Sequence, residues 1–393
     1  MLIRPPATAS LPAPADDALA FSAMASRYIA GQVAAAGGWI GFDRFMDLAL
    51  YAPGTGYYSG GARKFGAAGD FVTAPELGPA FAQTLGAQVA QLLSLSAPQI
   101  IEVGAGSGLL ASDLLLELEA RGMLPAGYAI LELSGELRAR QRQTIENHAP
   151  HLLPRVNWLD RLPERFAGLL LANEVLDAMP AHLVSWQDGA ILERGIVVAD
   201  GRFAWDDRPA TGALLERARM LATECAIEPG YLSEIALIAP AWVGEWAAII
   251  ERGALLLIDY GFPRHEYYHP QRDAGTLMCH YRHHAHGEPF HLPGLQDITA
   301  HVDFTAIVEA GCAAGLDLLG YTTQSTFLFN CGLTEVLART PVSDSLRYLP
   351  LASTVQKLVS PAEMGELFKV MALGKGIHEP LLGFTRGDRS ASL

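Results

Sequence analysis

Charged residues are scarce in this sequence of 393 residues and make up only 18% of it, whereas roughly 25% is typical of globular domains. Hydrophobic residues account for 50%, which excludes intrinsic disorder of the whole chain and predicts a globular fold with a sizeable core. Basic residues are fewer than acidic ones, with 28 Lys and Arg against 42 Asp and Glu and a formal net charge of −14. Such a charge repels phosphate backbones, which argues against a general nucleic-acid binder, although a local basic groove stays open.

Cysteine is rare as well, with four residues that lie far apart and form no C-x-x-C pair: Cys225, Cys279, Cys312 and Cys331. This spacing argues against a zinc ribbon and against a disulfide framework. We therefore expect a reducing compartment, with the cytoplasm as the predicted location.

The first 17 residues lack the cationic segment and apolar stretch of a secretory signal. Their prolines and the single Arg4 predict a flexible leader. No acidic residue precedes Asp16, so the mitochondrial matrix is the alternative location if the source is eukaryotic.

Long apolar runs are also missing. The longest stretch without a charged residue, Leu77 to Ile101, is interrupted by glutamines and prolines, which a membrane-spanning helix tolerates poorly. We expect a buried helix followed by a strand there, and no membrane insertion.

The chain begins with two predicted helices, the first from Asp16 to about Gly37 and the second with Asp43 as its cap. From residue 99 onward, short apolar strands alternate with helical segments, the pattern of βαβ units on a parallel sheet. Predicted strands lie at Gln99–Val103, Tyr128–Leu131, Val156–Leu159, Gly168–Ala172, Ala254–Asp259, Leu316–Thr322 and Phe368–Ala372, the last of them antiparallel to its neighbour.

Between the fourth and fifth of these strands the chain makes an insertion, in which Asp188-Gly189 and Asp200-Gly201 predict hairpins. The predicted division is a leader at 1–17, an N-terminal helical and Gly-rich lid region at 18–96, a parallel-sheet core at 97–182 and 251–393, and an insertion subdomain at 183–250.

The most informative segment follows the first predicted strand and contains three glycines in a G-x-G-x-G pattern, at Gly104, Gly106 and Gly108. Glycines let the backbone turn sharply and approach a ligand, and the helix start beyond them offers unpaired N–H groups. Leu109 stands where the dinucleotide fingerprint needs a third glycine or alanine. The motif, with Glu102 before it, resembles the first motif of class I S-adenosylmethionine (SAM) methyltransferases, so Glu102 and the three glycines are candidate SAM contacts. The alternative is a Gly-rich turn without a ligand.

Acidic residues end the next two predicted strands. Glu132 follows the second, where a carboxylate accepts hydrogen bonds from both ribose hydroxyls of a nucleoside. Asp160 ends the third and is a candidate contact for the adenine amino group; the alternatives are a solvated Glu132 and an Asp160 that only caps or pairs.

Polar residues also follow the fourth strand, at the sheet edge where ligands of parallel sheets bind. Asn173 is a candidate cofactor contact, and Glu174 with Asp177 forms a candidate catalytic pair. Their spacing predicts one helical face, with helix capping beside Pro180 as the alternative.

The sequence resembles the MidA-like family of SAM-dependent methyltransferases, whose eukaryotic members are mitochondrial complex I assembly factors that methylate a protein arginine. The resemblance covers most of the chain, excludes the leader and is loose in the insertion. The matching stretches are Phe45–Tyr58, Gly69–Glu76, Ile101–Gly108, Glu132–Ser134, Ala172–Pro180, Ile258–Gly261 and Asp297–Phe304.

The resemblance implies a class I, Rossmann-like doubly wound α/β sheet, mostly parallel with one antiparallel strand, that binds SAM. It implies symmetric dimethylation of an arginine on a complex I subunit, with Glu174 orienting the guanidinium. Better-known arginine methyltransferases use two glutamates after this strand. No second Glu follows closely here, so Asp177 or Asp188 would take its place.

Within the same match, Tyr57, Tyr58, Asp70 and Phe71 belong to a glycine-rich loop that is a candidate lid; an ordinary loop tied down by its aromatics is the alternative. Tyr260 is expected to line the substrate channel.

Eight of the 12 histidines lie between His265 and His301. We expect no metal site there, because no cysteine pair or H-E-x-x-H helix accompanies them. His284 and His301 are instead expected to hydrogen-bond the loop that shapes the substrate cleft. A small-molecule methyltransferase, a SAM-binding assembly chaperone without turnover and a homo-oligomer stay open.

Overall fold

The computed structural model describes residues 11–60 and 73–393. Two residues of the predicted lid, Asp70 and Phe71, therefore lie outside the described residues, as does most of the predicted leader. The chain divides into two compact units. The first comprises Met1–Phe71, Leu176–Ala241 and Phe262–Asp303, and the second comprises Val72–Val175, Trp242–Gly261 and Phe304–Leu393. The division predicted from the sequence stays a prediction.

The second unit contains the parallel sheet. Its strands are β2 (Gln99–Val103), β3 (Gly127–Leu131), β4 (Val156–Leu159), β5 (Phe166–Asn173), β10 (Ile250–Phe262), β15 (Asp317–Thr323) and β16 (Phe368–Lys375). Its helices are α3 (Ala80–Leu95), α4 (Leu109–Ala120), α5 (Gly135–His148), α9 (Phe304–Ala313), α10 (Gln324–Asn330), α11 (Leu333–Ala338) and α12 (Ser345–Val359), and α7 (Ile238–Ile249) leads into β10.

The described strands of this sheet run in the order β15-β16-β10-β5-β2-β3-β4. β10, β5, β2, β3 and β4 are mutually parallel, whereas β16 is antiparallel to both of its neighbours. The order reverses between β2 and β5, which places the topological switch point at their carboxyl ends. The predicted doubly wound α/β fold with one antiparallel strand is confirmed.

Strands buried on both faces explain the apolar runs in the sequence. Leu169, Leu170 and Leu171 in β5 are fully buried. Ile101 of β2 pairs with Leu170 on one side and Ala129 on the other. Register along β2 and β5 therefore sets the relative positions of the two segments that leave the sheet at the switch point.

The first unit consists of mostly antiparallel strands and short helices. Its elements are α1 (Asp16–Ala35), β1 (Ile40–Gly41), α2 (Phe42–Tyr51), β6 (His182–Gln187), β7 (Ala190–Ala199), β8 (Arg202–Pro209), α6 (Gly212–Glu224), β9 (Tyr231–Ile235), α8 (Arg264–Tyr267), β11 (Met278–Tyr281), β12 (His284–His286), β13 (Asp297–Thr299) and β14 (Val302–Asp303). One sheet has the order β1-β7-β6-β9, with β8 beside β7, and another has the order β12-β11-β13.

Both predicted hairpins are confirmed in this unit. Asp188 and Gly189 join β6 to β7, and Asp200 and Gly201 join β7 to β8. Asp200 and Gly201 have φ values of +50° and +74°, the left-handed backbone that a two-residue hairpin turn requires.

The prediction of Asp43 as a helix cap is wrong. α2 begins at Phe42, and its N-cap is Gly41 with an extended backbone. Gly41 pairs with Gly195 of β7, so strand pairing determines where the helix begins and places Asp43 within its first turn.

Among the residues that the structure describes, none of the helices is both long enough and apolar enough to cross a membrane.

Candidate functional site

The three glycines predicted as a ligand loop connect β2 to α4. Their φ values are +65° at Gly104, +52° at Gly106 and +85° at Gly108, all in the left-handed region that glycine favours. A Cβ on Gly104 would lie 3.0 Å from Cγ2 of Val175, and one on Gly108 would lie 2.9 Å from Cα of Gln141. Backbone conformation and close packing thus both require glycine in this loop.

Glu132 lies directly after β3 and is held by two hydrogen bonds. Its Oε1 accepts from the Ser134 backbone N–H at 2.8 Å, and its Oε2 accepts from the Gln141 side-chain amide at 3.1 Å. Burial raises the pKa of Glu132, and the hydrogen bonds from Ser134 and Gln141 partly offset that effect. The same Gln141 amide nitrogen lies 3.2 Å from the carbonyl of Gly106, so Gln141 joins Glu132 to the glycine loop.

Asp160 follows β4 and pairs with Arg138, whose guanidinium lies 2.6 Å from the Asp160 carboxylate. Arg138 also donates to the backbone carbonyls of Glu132 and Leu159. The Arg138 guanidinium therefore connects the ends of β3 and β4 by hydrogen bonds. The Asp160 side chain is 84% exposed, which leaves its oxygens accessible for a second contact.

Asn173 and Glu174 leave β5 at the switch point. Glu174 has a φ of +53°, which costs a residue with a Cβ roughly 1–2 kcal/mol. Its backbone N–H donates to the carbonyl of Ile258 at 2.8 Å, and the Asn173 amide donates to its Oε1 at 3.1 Å. The Asn173 Oδ1 is buried and accepts no hydrogen bond from the described residues, so it is positioned to accept one from a ligand.

Asp259 holds the segment beyond Glu174 in place. This residue is buried in β10, and its two carboxylate oxygens accept the backbone N–H groups of Val175 at 3.2 Å and Tyr260 at 2.9 Å. One side chain thus binds the backbone at the ends of two neighbouring strands. The Tyr260 ring packs edge-on against Phe368, with ring centroids 5.3 Å apart.

The prediction that Glu174 and Asp177 share a helical face is wrong. Residues 174–178 form bends and a turn rather than a helix, because the left-handed backbone at Glu174 interrupts helical geometry. The alternative of helix capping is wrong for the same reason.

In the first unit, Asp177 is buried and its carbonyl accepts the backbone N–H of Ala300. Tyr58 donates from its hydroxyl to Asp297 at 3.0 Å and stacks on Tyr51. Burial, with Asp297 nearby, raises the pKa of Tyr58 well above its usual value.

Tyr57 is also buried in the core of the first unit. Its ring and that of Tyr58 are thus packed inside this unit, as expected for a segment anchored by its aromatic residues. A lid role for the two tyrosines stays a prediction.

The two histidines predicted to shape a substrate cleft, His284 and His301, lie in different segments of the first unit. His284 begins β12 and is exposed, with its Nδ1 lying 2.7 Å from the carbonyl of Arg282. His301 stacks on Phe262 at 5.3 Å, and its backbone N–H donates to the Thr276 hydroxyl. Their expected role beside a substrate cleft stays a prediction.

Glu102 lies inside the sheet, where it is buried and accepts a hydrogen bond from the Tyr128 hydroxyl at 2.7 Å. Burial raises the pKa of Glu102 from 4.5 to about 7, with a smaller opposing effect from Tyr128. Contact with a cofactor stays a prediction, whereas the shifted pKa has a direct consequence for stability.

We expect replacement of Glu102 by Gln to stabilise the protein at pH 8 and to change little at pH 4.5. Between pH 4.5 and 7 the folded protein keeps a proton at Glu102 that the unfolded chain has lost, so native stability falls as the pH rises. Above pH 7 the variant avoids burying this charge, a gain of up to about 3 kcal/mol. Urea unfolding at both pH values measures this change in the free energy of unfolding. The control is Glu146→Gln, the same substitution at an exposed position of α5, which should show no such gain. Equal stabilities of Glu102→Gln and native protein at pH 8 would contradict the expectation.

The structure brings four residues to this edge of the second unit that sequence reasoning missed: Glu76, Leu133, Gln141 and Asp259. Gln141 and Asp259 organise it, as described above. Ser107 of the glycine loop donates to the carboxylate of Glu76, and Leu133, directly after Glu132, is 81% exposed. Glu76, Leu133 and Asp259 stand within stretches of the family resemblance, which was the available signal, whereas Gln141 had none.

Three features of this edge are those expected of a nucleoside-binding site. Glycine backbone, a carboxylate at the end of the adjacent strand and a buried amide acceptor lie at the switch point of a parallel sheet. The loop differs from the dinucleotide-binding G-x-G-x-x-G motif, which binds a pyrophosphate. Leu109, the first residue of α4, occupies the position of that motif's third glycine or alanine.

Comparison with known proteins shows what this chain is similar to. A Burkholderia thailandensis protein, whose crystal structure is described as that of a "likely methyl transferase" bound to S-adenosyl-homocysteine, is 56% identical, with a TM-score of 0.94 over 98% of this chain and 100% of that chain. The curated relatives include the mitochondrial "Protein arginine methyltransferase NDUFAF7 homolog" of Drosophila melanogaster, 28% identical over 87% of this chain and 84% of the relative. The "Protein arginine methyltransferase NDUFAF7, mitochondrial" of Danio rerio is 27% identical over 88% and 86%.

Both of these relatives are named as mitochondrial proteins. Their names agree with the mitochondrial alternative and do not support the predicted cytoplasmic location. A family model described as "Putative S-adenosyl-L-methionine-dependent methyltransferase" matches residues 83–322, more than half of the chain and all of the glycine loop. The chain therefore belongs to the S-adenosyl-L-methionine-dependent methyltransferases.

Proposed function

We propose that this SAM-dependent methyltransferase transfers the methyl group to an arginine side chain of a protein. The observation that carries the proposal is Glu174, a carboxylate at the switch point whose backbone is held in the left-handed region beside the glycine loop. Asn173 donates to one of its oxygens, which orients the carboxylate. The curated relatives named as protein arginine methyltransferases support the same acceptor.

The residues at the glycine loop suit SAM. Gly104, Gly106 and Gly108 leave the backbone free of side chains where the methionine portion would lie, and Glu132 would accept hydrogen bonds from the ribose hydroxyls. The orphaned Oδ1 of Asn173 is an acceptor for the cofactor's ammonium group.

The adenine ring would lie beyond the ribose contact. The exposed Leu133 side chain offers it an apolar surface, and Asp160 an acceptor for its amino group. Bound SAM supplies an electrophilic methyl group on a sulfonium.

Glu174 would act on the acceptor. An arginine guanidinium stays protonated at neutral pH, so it needs both charge compensation and orientation before one nitrogen can attack. A carboxylate that accepts two guanidinium N–H groups supplies both and leaves the third nitrogen to face the methyl group. In the transfer, the S–CH3 bond would break as the N–CH3 bond forms, S-adenosyl-homocysteine would leave, and the attacking guanidinium nitrogen would lose one proton to solvent. Alignment and exclusion of water provide most of the acceleration.

The finer assignments rest on the family resemblance. They are a respiratory complex I subunit as the protein acceptor, symmetric dimethylarginine as the product and Asp177 as the second carboxylate. The net charge of −14 favours encounter with a basic acceptor segment. The names of the relatives support a mitochondrial location, and the mitochondrial matrix belongs to this proposal.

Arginine methylation in a cell extract tests the function. Purified protein and methyl-labelled SAM are incubated with extract from cells that lack the gene, and labelled residues are identified by mass spectrometry. We expect labelled symmetric dimethylarginine on a complex I subunit. Label on a small molecule alone would overturn the arginine assignment in favour of a small-molecule methyltransferase, and binding of SAM with no labelled product would favour a chaperone.

We expect Glu132→Gln to weaken SAM binding by roughly 10- to 100-fold, the loss of charge-assisted hydrogen bonds to two hydroxyls. The amide keeps the shape of the side chain. Ser134 and Gln141 therefore keep a hydrogen-bond acceptor at position 132, but the acceptor no longer carries a charge. Calorimetric titration with S-adenosyl-homocysteine measures the change, with Glu146→Gln on the exposed face of α5 as the matched control. Equal affinity in native protein and Glu132→Gln would remove Glu132 from the cofactor site.

A further inference from the structure

The first unit contains a second group of polar side chains, formed by Asp43, His182 and Glu193. Asp43 lies in the first turn of α2, His182 begins β6 and Glu193 lies in β7. Their donor atoms all lie within 4.8 Å of one another. A helix near the start of the chain and the two strands of the β6–β7 hairpin thus bring one nitrogen and two carboxylate oxygens close together.

The distances fit a small metal ion. Nδ1 of His182 lies 2.8 Å from Oε1 of Glu193 and 3.5 Å from Oδ1 of Asp43. An ion bound at about 2.1 Å places adjacent ligand atoms about 3.0–3.4 Å apart and opposite ones about 4.2 Å apart. The three donors can therefore reach one ion with small side-chain movements.

The charge of the three side chains also favours a cation. Two carboxylates facing a neutral imidazole carry a charge of −2, which a divalent cation neutralises. The side chains are 17–25% exposed, so a cation could enter and water could fill its remaining coordination positions.

Gly41 provides an independent observation. It lies in β1 opposite Gly195 of β7, and a Cβ there would come within 2.5 Å of Asp43 Oδ1 and 2.7 Å of Glu193 Oε1. Those atoms are the two oxygen donors of the group. The glycine thus leaves a cradle around the donor atoms that any other residue would fill.

We propose that Asp43, His182 and Glu193 bind one divalent transition-metal ion of the Zn²⁺ class. Imidazole nitrogen with carboxylate oxygen is a ligand set that suits Zn²⁺ and disfavours Mg²⁺, which prefers oxygen alone. The ion takes the place of the hydrogen bond between His182 Nδ1 and Glu193 Oε1. It joins the start of α2 to the β6–β7 hairpin, so its role is to stabilise the first unit.

Calorimetric titration of untagged full-length protein with Zn²⁺ tests this site, with Co²⁺ absorption as a spectroscopic readout and Mg²⁺ as a comparison. We expect one Zn²⁺ per chain, a rise in Tm on addition of Zn²⁺, and at least tenfold weaker binding in His182→Gln. Asp43→Asn, which removes one charge with little change in shape, should weaken binding similarly and decides the matter if His182→Gln does not fold.

The control is His151→Gln, because His151 is an exposed histidine paired with the single carboxylate of Glu119. It should bind Zn²⁺ as the native protein does. Absence of stoichiometric binding in the native protein, or equal affinity in all four proteins, would overturn the proposal and leave the group as a protonated histidine between two carboxylates. Neither result depends on methyl transfer.

Discussion

Glu174→Gln should lower the rate of arginine methylation by about 10³-fold and leave the affinity for SAM within about threefold of native, since removal of one preorganised charge contact costs catalysis roughly that much. The amide has the shape of the carboxylate but accepts fewer hydrogen bonds and carries no charge to balance the guanidinium. Gln meets the same left-handed backbone penalty as Glu at a φ of +53°. The variant should therefore fold as the native protein does.

Single-turnover transfer from labelled SAM to the acceptor, together with calorimetric titration with S-adenosyl-homocysteine, separates the two effects. Glu146→Gln is the matched control, because the same substitution there lies on an exposed face of α5. A Glu174→Gln variant that keeps more than a third of the native rate would remove Glu174 from the proposed guanidinium contact. Equal losses in rate and cofactor affinity would assign it to SAM binding instead.

Gly108→Ala should both destabilise the protein and weaken cofactor binding strongly. A φ of +85° disfavours alanine by roughly 1–2 kcal/mol. The new Cβ would also lie 2.9 Å from Cα of Gln141, and relieving such overpacking costs about 1–3 kcal/mol more. Because the Gln141 amide contacts both Gly106 and Glu132, its displacement disturbs the cofactor contacts. We expect at least a 30-fold loss in affinity for S-adenosyl-homocysteine.

Gly122→Ala separates the two causes. Gly122 has a φ of +68°, but nothing lies within 4 Å of a Cβ placed there. It should lose only the roughly 1–2 kcal/mol of the backbone penalty and keep native cofactor affinity. Thermal unfolding and calorimetric titration of both variants make the comparison. Equal affinities in Gly108→Ala and Gly122→Ala would contradict the role assigned to Gln141.

Local patterns in the sequence were sufficient for the strands and turns that depend on neighbouring residues. Val156–Leu159 was predicted with the bounds observed for β4, because a short apolar run beside polar turns has few alternatives. Asp200-Gly201 predicted its hairpin for an equally local reason, since Asp and Gly tolerate positive φ. The glycines at 104, 106 and 108 were likewise recognised from spacing alone.

Local patterns failed where tertiary contacts override propensity. The spacing of Glu174 and Asp177 predicts a helical face, yet the backbone N–H of Glu174 donates to Ile258 in the neighbouring strand and its φ is +53°. Asp43 is a plausible helix cap by residue type, but Gly41 pairs with β7 and is itself the N-cap, so the helix begins two residues earlier than a cap at Asp43 predicts.

By itself, therefore, the sequence determined the fold class, the glycine loop and the acidic residue after the second parallel strand, because each depends on a short pattern of residue types. Only the tertiary structure decided that Gln141 joins the loop to Glu132, that Asp259 secures the backbone beyond Glu174, and that the group of Asp43, His182 and Glu193 exists. These contacts join residues as far apart as 43 and 193, and their geometry follows from strand register and helix packing. No local pattern encodes that register, since it is set by burial of the whole core.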